Sequence, residues 1–187
     1  LDDVKLLAPV VPPDIIAIGL NYKAHADEFG DPYPERPVIF LKATSTRCGP
    51  DDCIVLPTMA PDEVDYEAEL VIVIGQECHN VAEEEALDYV LGYTCGNDVS
   101  ARDCQIREDR QWARGKSFDT FCPLGPWIET ELDPGNAVVE TYLNGKLKQR
   151  GHTGDLIYSV PEIINFISNV MTLLPGDVID TGKPSDV

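Results

Sequence analysis

Five carboxylates and no basic residue occupy the stretch from Asp62 to Glu69: Asp62, Glu63, Asp65, Glu67 and Glu69. The last two have a spacing that suits chemistry. Alternate side chains of a strand share a face, so Glu67 and Glu69 point the same way and are followed on that face by Val71 and Val73. Two ionised acids at the edge of a core are costly unless a cation lies between them or their pKa values rise. A hard divalent ion such as Mg²⁺, which takes a few carboxylates and keeps several waters, meets that need. A solvated strand end would suit the same two residues. Asp98 is a third acid, set in Gly96-Asn97-Asp98-Val99-Ser100 on a tight loop of the kind that presents side chains to a site. Asp beside Asn and Gly also serves as a simple turn-former, and the spacing does not choose between the two roles. His25 and Glu28 share a face if their segment is helical, and a His oriented by a carboxylate is a usable base near neutral pH. The plainer role for that pair is an exposed ion pair. Lys116, among small residues in Gly115-Lys116-Ser117, is either a partner for a substrate carboxylate or a surface lysine.

Elements must hold these residues in place. Asp14–Gly19 has the β-branched content of a buried strand, Val38–Leu41 is a second short strand, and Ala68–Gly75 is the strongest strand in the chain. Asn80 with Glu83 predicts a capped helix through about Tyr89, closed by Gly92. Ser100 with Asp103 predicts a second helix, running to about Trp112. Ser159 with Glu162 opens a third, whose apolar positions are Val160, Ile163, Ile164, Ile167 and Met171. Val138–Leu143 and Lys146–Arg150 flank Asn144-Gly145, the dipeptide that type I′ hairpin turns favour. After Pro175-Gly176-Asp177 comes a last strand, Val178–Thr181. Six strands and three helices without regular βαβ alternation give an α+β fold.

The chain has 187 residues, and its formal charge of −19 excludes nucleic acid and anionic membrane surfaces as partners, because both are bound through Lys and Arg clusters. Small molecules, metal ions and other proteins remain. The length fits one domain, residues 1–187, with no internal boundary, and 43% hydrophobic residues are too many for disorder. No apolar run approaches the ~20 residues of a membrane span. Cys48, Cys53, Cys78, Cys95, Cys104 and Cys122 form no C-x-x-C pair and no zinc-finger spacing with His, so they read as free thiols in a reducing, cytoplasmic compartment. Because the chain begins with Leu1 rather than Met, a removed targeting segment stays open, and a mitochondrial location with it.

Six ordered segments together resemble the fumarylacetoacetate hydrolase family in its smaller, acylpyruvase-like branch. They are IAIGLNYKAHADEFG, PVIFLKATS, VDYEAELVIVIG, GYTCGNDVSARDCQ, GKSFDTFCPLGPW and MTLLPGDVIDTGKP, and they run from about Ile16 to Pro184. The resemblance implies mixed β-sheets in a β-roll with a few short helices. It also implies Mg²⁺, with Mn²⁺ or Ca²⁺ as substitutes, held by Glu67, Glu69 and Asp98. His25 and Glu28 match the family's water-activating pair on a lid, which is expected to be mobile without ligand. Lys116 matches a catalytic lysine, while Arg102 and Gln105 match residues that engage substrate oxygens. Lys183 stands where relatives commonly carry a carboxylate-binding threonine, and it is carried over as a substrate-binding residue. Relatives continue beyond the point matched by Val187 with a strand-rich segment, so the chain is expected to be a shortened form.

The activity implied is Mg²⁺-dependent hydrolysis of a C–C bond in small β-diketo acids of the acylpyruvate or fumarylacetoacetate type. One alternative is an isomerase or decarboxylase of 2-oxo dicarboxylic acids such as oxaloacetate, since the same enolate chemistry serves both. Another is a metal-binding family member without turnover, suggested by Lys183 and the early end. The partner is then a small diketo or oxo acid, and the assembly a homodimer, as relatives usually are.

Overall fold

The computed structural model describes residues 4–30, 32–108 and 110–185. Among them the strands are β1 (Ile15–Gly19), β2 (Val38–Lys42), β3 (Arg47–Cys48), β4 (Val64–Asp65), β5 (Ala68–Ile74), β6 (Val90–Asn97), β7 (Ser100–Ala101), β8 (Cys122–Glu129), β9 (Val138–Leu143), β10 (Lys146–His152) and β11 (Val178–Asp180). The α-helices are α1 (Lys23–Phe29), α2 (Trp112–Lys116) and α3 (Val160–Ser168). A seven-stranded mixed sheet in the order β2-β1-β11-β5-β6-β8-β3 curls into a half-barrel, with the pairs β9–β10 and β4–β7 beside it. The α+β expectation holds.

The central strand β5 explains why the sheet curls around a site. All seven of its residues are buried. Leu70, Ile72 and Ile74 join Ile16, Ile18, Tyr93 and Ile179 under Val160, Ile163, Ile164 and Ile167 of α3. Val71 and Val73 turn to the opposite face and pack with Ile15, Cys122, Leu124 and Val178. The strand is thus apolar on both faces, as a strand covered on both sides must be. Its acids are confined to the N-terminal end, where β5 leaves the core.

The apolar stripe of α3 and its capping box are as predicted. The Ser159 N–H donates to Glu162 at 2.7 Å, and only Met171 falls beyond the helix, where it packs against the same core. The hairpin also forms, with Asn144 and Gly145 at φ 53° and 73° as a type I′ turn requires.

Two predicted helices are corrected. Asn80 is left-handed at φ 54° and does not cap; the Val81 N–H is taken by the Ser168 hydroxyl at 3.0 Å, and residues 83–89 wind as a 3₁₀-helix entered at Ala82. The chain then runs directly into strand β6, which the sequence reading missed because it treated Gly92 as a helix stop. Ser100 does not cap either, because it pairs with Asp65 between β4 and β7 and gives its hydroxyl to the Asp98 carbonyl at 2.9 Å. The segment Asp103–Glu108 winds as a π-helix, and α2 begins separately at Trp112. π-turns are uncommon and recur at functional sites. Strand β8 was missed as well, since its Pro and Gly residues hide it from a β-propensity pattern.

Candidate active site

The antiparallel pairing of β5 with β6 sets Ala68 opposite Asn97 and Glu69 opposite Gly96, so Asp98 emerges beside Glu67. Backbone and side-chain bonds fix the junction: Asp98 N–H donates to the Glu67 carbonyl at 3.0 Å, and Glu67 N–H donates to the Asn97 side chain at 2.8 Å. One oxygen from each of Glu67, Glu69 and Asp98 lies within 4.8 Å of the others, and all three residues are buried. The strand end is therefore not solvated. A group of three buried carboxylates is a donor set for a hard divalent ion.

Cations surround the trio unevenly. Lys116, at the end of α2, donates to Glu67 at 2.7 Å and to the Asp98 carboxylate, and its ammonium lies 5.0 Å from the Phe40 ring centre. Burial alone would lower its pKa, but Asp98 and Glu67 outweigh burial and raise it. Arg102 donates to Glu67 at 2.6 Å, to Asp65 at 2.8 Å and to Gln105 at 2.7 Å. Burial would raise the Glu67 carboxyl, yet Lys116 and Arg102 bring it down to about 2. Glu69 has no such partner among the described residues; it accepts a 2.6 Å bond from the Gly182 N–H. Burial together with Asp180 and Asp98 pushes its carboxyl well above the usual range. An added divalent cation would answer the charge that Glu69 adds to the trio, so the residues present fit Mg²⁺ and equally Mn²⁺ or Ca²⁺.

Two close approaches hold this geometry. Gly182 has φ +101°, and a Cβ there would sit 2.8 Å from the Asn21 Cβ, so the backbone N–H reaches Glu69 only because the residue is glycine. A Cβ on Gly115 would lie 2.7 Å from the Gln105 Cβ and 2.9 Å from the Ala101 carbonyl; its absence lets α2 press Lys116 against the π-helix.

A cleft of about 240 Å³ opens over the trio, lined among others by His25, Arg102, Gln105, Lys116 and Lys183, with Ile18, Phe40 and Trp112 as its apolar wall. The Lys183 ammonium lies 3.4 Å from His25 Nδ1, and Glu28 lies 3.6 Å from the same nitrogen. Burial and Lys183 lower the His25 pKa. All the singled-out residues except Glu28 line this cleft, and Glu28 reaches it through His25.

Sequence reasoning missed Lys42 and Asp180. Lys42 ends β2 and donates to the Asp98 carboxylate and to the Phe121 carbonyl, the latter at 2.9 Å. Asp180 is buried on β11 with neither carboxylate oxygen hydrogen-bonded among the described residues, and burial with the Asp98 charge raises its pKa to about 7. A lysine or aspartate inside an apolar strand run was the available signal in both cases. All six cysteines are free thiols, and among the described residues no helix is long and apolar enough to cross a membrane.

A curled sheet that converges hard oxygen donors and cations on one small cleft defines an enzyme-type site for small organic acids. The family model described as "Fumarylacetoacetate (FAA) hydrolase C-terminal" matches residues 14–187. The 5-carboxymethyl-2-hydroxymuconate delta-isomerase of Mycobacterium smegmatis superimposes with a TM-score of 0.92 at 52% identity, over 100% of this chain and 73% of that one. The fumarylacetoacetate hydrolase of Exiguobacterium antarcticum gives 0.90 at 44% identity, over 100% and 68%. A mitochondrial oxaloacetate tautomerase of Xenopus laevis is 45% identical over 99% of this chain and 59% of its own length. The chain belongs to the fumarylacetoacetate hydrolase family and has its fold.

Proposed function

We propose that the chain carries the active site of a metal-assisted keto–enol isomerase acting on small 2-oxo dicarboxylic acids of the oxaloacetate type. The observation that carries this reading is the convergence of Arg102, Lys116 and Lys183 with the buried Glu67, Glu69 and Asp98 trio on one cleft. A dianionic acid needs several cations in a small volume, and this acidic chain gathers them there. The names of the relatives favour isomerisation over the C–C hydrolysis first expected, since the M. smegmatis structure is called an isomerase and the X. laevis relative a tautomerase.

When bound by Glu67, Glu69 and Asp98, a divalent ion would supply Lewis-acid polarisation of the substrate's oxygens. Arg102 uses three donor groups on Asp65, Gln105 and Glu67, which leaves about two of its five N–H groups for a substrate carboxylate. Gln105, held by Arg102, offers its amide N–H₂ to a carbonyl oxygen. Lys116 adds positive charge beside the oxygen that becomes enolate-like, so the transition state is stabilised more than the ketone. His25 takes the proton from the carbon between the two carbonyl groups and returns it to the oxygen, with Glu28 orienting the ring. Phe40 and Trp112 keep water from that wall of the cleft.

The test follows loss of oxaloacetate's enol absorbance, with Mg²⁺ and with chelator, beside a panel of acylpyruvates. Mg²⁺-dependent acceleration of enol–keto exchange without new acids supports the proposal. Two acids released from an acylpyruvate would replace it with hydrolysis, the reading favoured by the His25–Glu28 pair as a water-activating couple. Metal binding with neither reaction would leave a binding protein without turnover. A homodimer is the assembly we propose, and sedimentation measures it.

A further inference from the structure

Lys183 and Glu28 both approach one nitrogen of the His25 imidazole. Lys183 Nζ lies 3.4 Å from Nδ1, and Glu28 Oε2 lies 3.6 Å from the same atom. An ammonium only donates and a carboxylate only accepts, so the two contacts demand opposite states of Nδ1. Facing Lys183, Nδ1 must be unprotonated, and in the neutral ring the proton then sits on Nε2, which cannot act as a base. Facing Glu28, Nδ1 carries the proton and Nε2 presents its lone pair.

Lys183 is itself poised to leave. It is 6% exposed and lines the cleft, and its contacts are long ones, to Nδ1 and to the Pro184 carbonyl at 3.4 Å. Among the described residues no carboxylate forms an ion pair with it. A buried ammonium with two long neutral acceptors gains much by meeting an anion in the cleft.

We propose that Lys183 gates His25: a carboxylate of the bound acid draws the ammonium off Nδ1, and the ring then re-tautomerises so that Nδ1–H bonds to Glu28 and Nε2 becomes the base. One proton leaves Nε2 for solvent and one arrives at Nδ1, so the net charge of the ring is unchanged. The base is thereby armed only when a carboxylate occupies the cleft, which ties proton abstraction to acids that place a carboxylate against Lys183. Among the described residues the charged groups acting on the ring are Lys183, Glu67 and Glu28, and none changes its charge in this step. The gate rests on the isomerase reading for its purpose, although it can be observed without turnover.

The experiment is ¹⁵N NMR of the histidines in the whole chain at constant pH, with and without malonate as an unreactive dicarboxylate probe. With His79 and His152 as the other two, a His25→Asn variant identifies the signals. Nδ1 of His25 is expected to be an acceptor-type nitrogen in the free chain and a protonated one with malonate. In Lys183→Met it is expected to be protonated throughout and blind to malonate, whose affinity falls about tenfold or more. Glu28→Gln should keep the free-state tautomer, which checks that the fold survives substitution around the ring. The same tautomer with and without malonate in the unaltered chain would overturn the gate, as would a free-state Nδ1 unaffected by Lys183→Met or a failure of malonate to bind. A malonate-driven switch in a chain that never accelerates enol exchange would uphold the gate and reject the isomerase reading, so the two failures are distinct.

Discussion

Glu69 accepts a hydrogen bond from the Gly182 N–H, yet no ammonium or guanidinium among the described residues pairs with it, and Asp180 and Asp98 add negative charge nearby. Glu69→Gln keeps the shape and the Gly182 bond while removing the charge. The metal-free variant is expected to be the more stable one, because it no longer buries a carboxylate beside Asp180 and Asp98. Its Mg²⁺ affinity should fall at least tenfold; calorimetric melting with and without Mg²⁺ reads both, and unchanged affinity would remove Glu69 from the ligand set. Asp180 carries the pH signature. Its pKa rises from 3.8 to about 7, so the folded chain holds a proton that the unfolded chain releases within that interval. Stability therefore falls as pH rises from 3.8 towards 7, and Asp180→Asn should flatten that slope by at most ~1.4 kcal/mol per pH unit. Denaturation midpoints in chelator across that range measure the difference.

At the scale of elements, the site depends on where short pieces stop. Lys116 ends α2 and Lys42 ends β2, and both ammonium groups converge on Asp98 just past the end of β6. Gly115→Ala must push α2 off the π-helix, because the added methyl would meet the Gln105 Cβ at 2.7 Å. That variant is expected to lose 1–3 kcal/mol of stability and at least tenfold in turnover, because a displaced Lys116 no longer pairs with Glu67 and Asp98. Glu162→Ala is the contrasting case. It breaks the capping box of α3 remote from the cleft and should cost ~1 kcal/mol with turnover unchanged. Urea unfolding beside enol-exchange kinetics separates the two, and equal losses of turnover would refute the distinction.

For the whole molecule, a charge of −19 spreads repulsion over the surface, while the cleft concentrates cations and holds the trio. An ion that binds only the folded chain adds stability by mass action, ~2.7 kcal/mol at a hundredfold excess over its Kd. Chelator should therefore lower the melting temperature of the unaltered chain and shift Glu69→Gln by no more than about half as much.

Asp98 was joined to Glu67 and Glu69 only through the family resemblance, whereas the sequence by itself determined the α3 stripe and cap, the hairpin and the apolar strand β5. Each depends on residues near one another in the chain, where period, turn chemistry and capping are local physics. Only the tertiary structure decided that Glu67 and Glu69 are buried, because their burial depends on β6 pairing across the sheet and on α2 closing over them. Lys42 and Asp180 belong to strands that read as ordinary apolar runs until β2 and β11 are placed near Asp98. The false caps at Asn80 and Ser100 failed for the same reason. Ser168, 87 residues from Val81, took one helix's cap donor, and strand pairing with Asp65 took the other's capping residue. Long-range hydrogen bonds outbid a local signal worth ~1 kcal/mol, and the motif gave no sign of that competition.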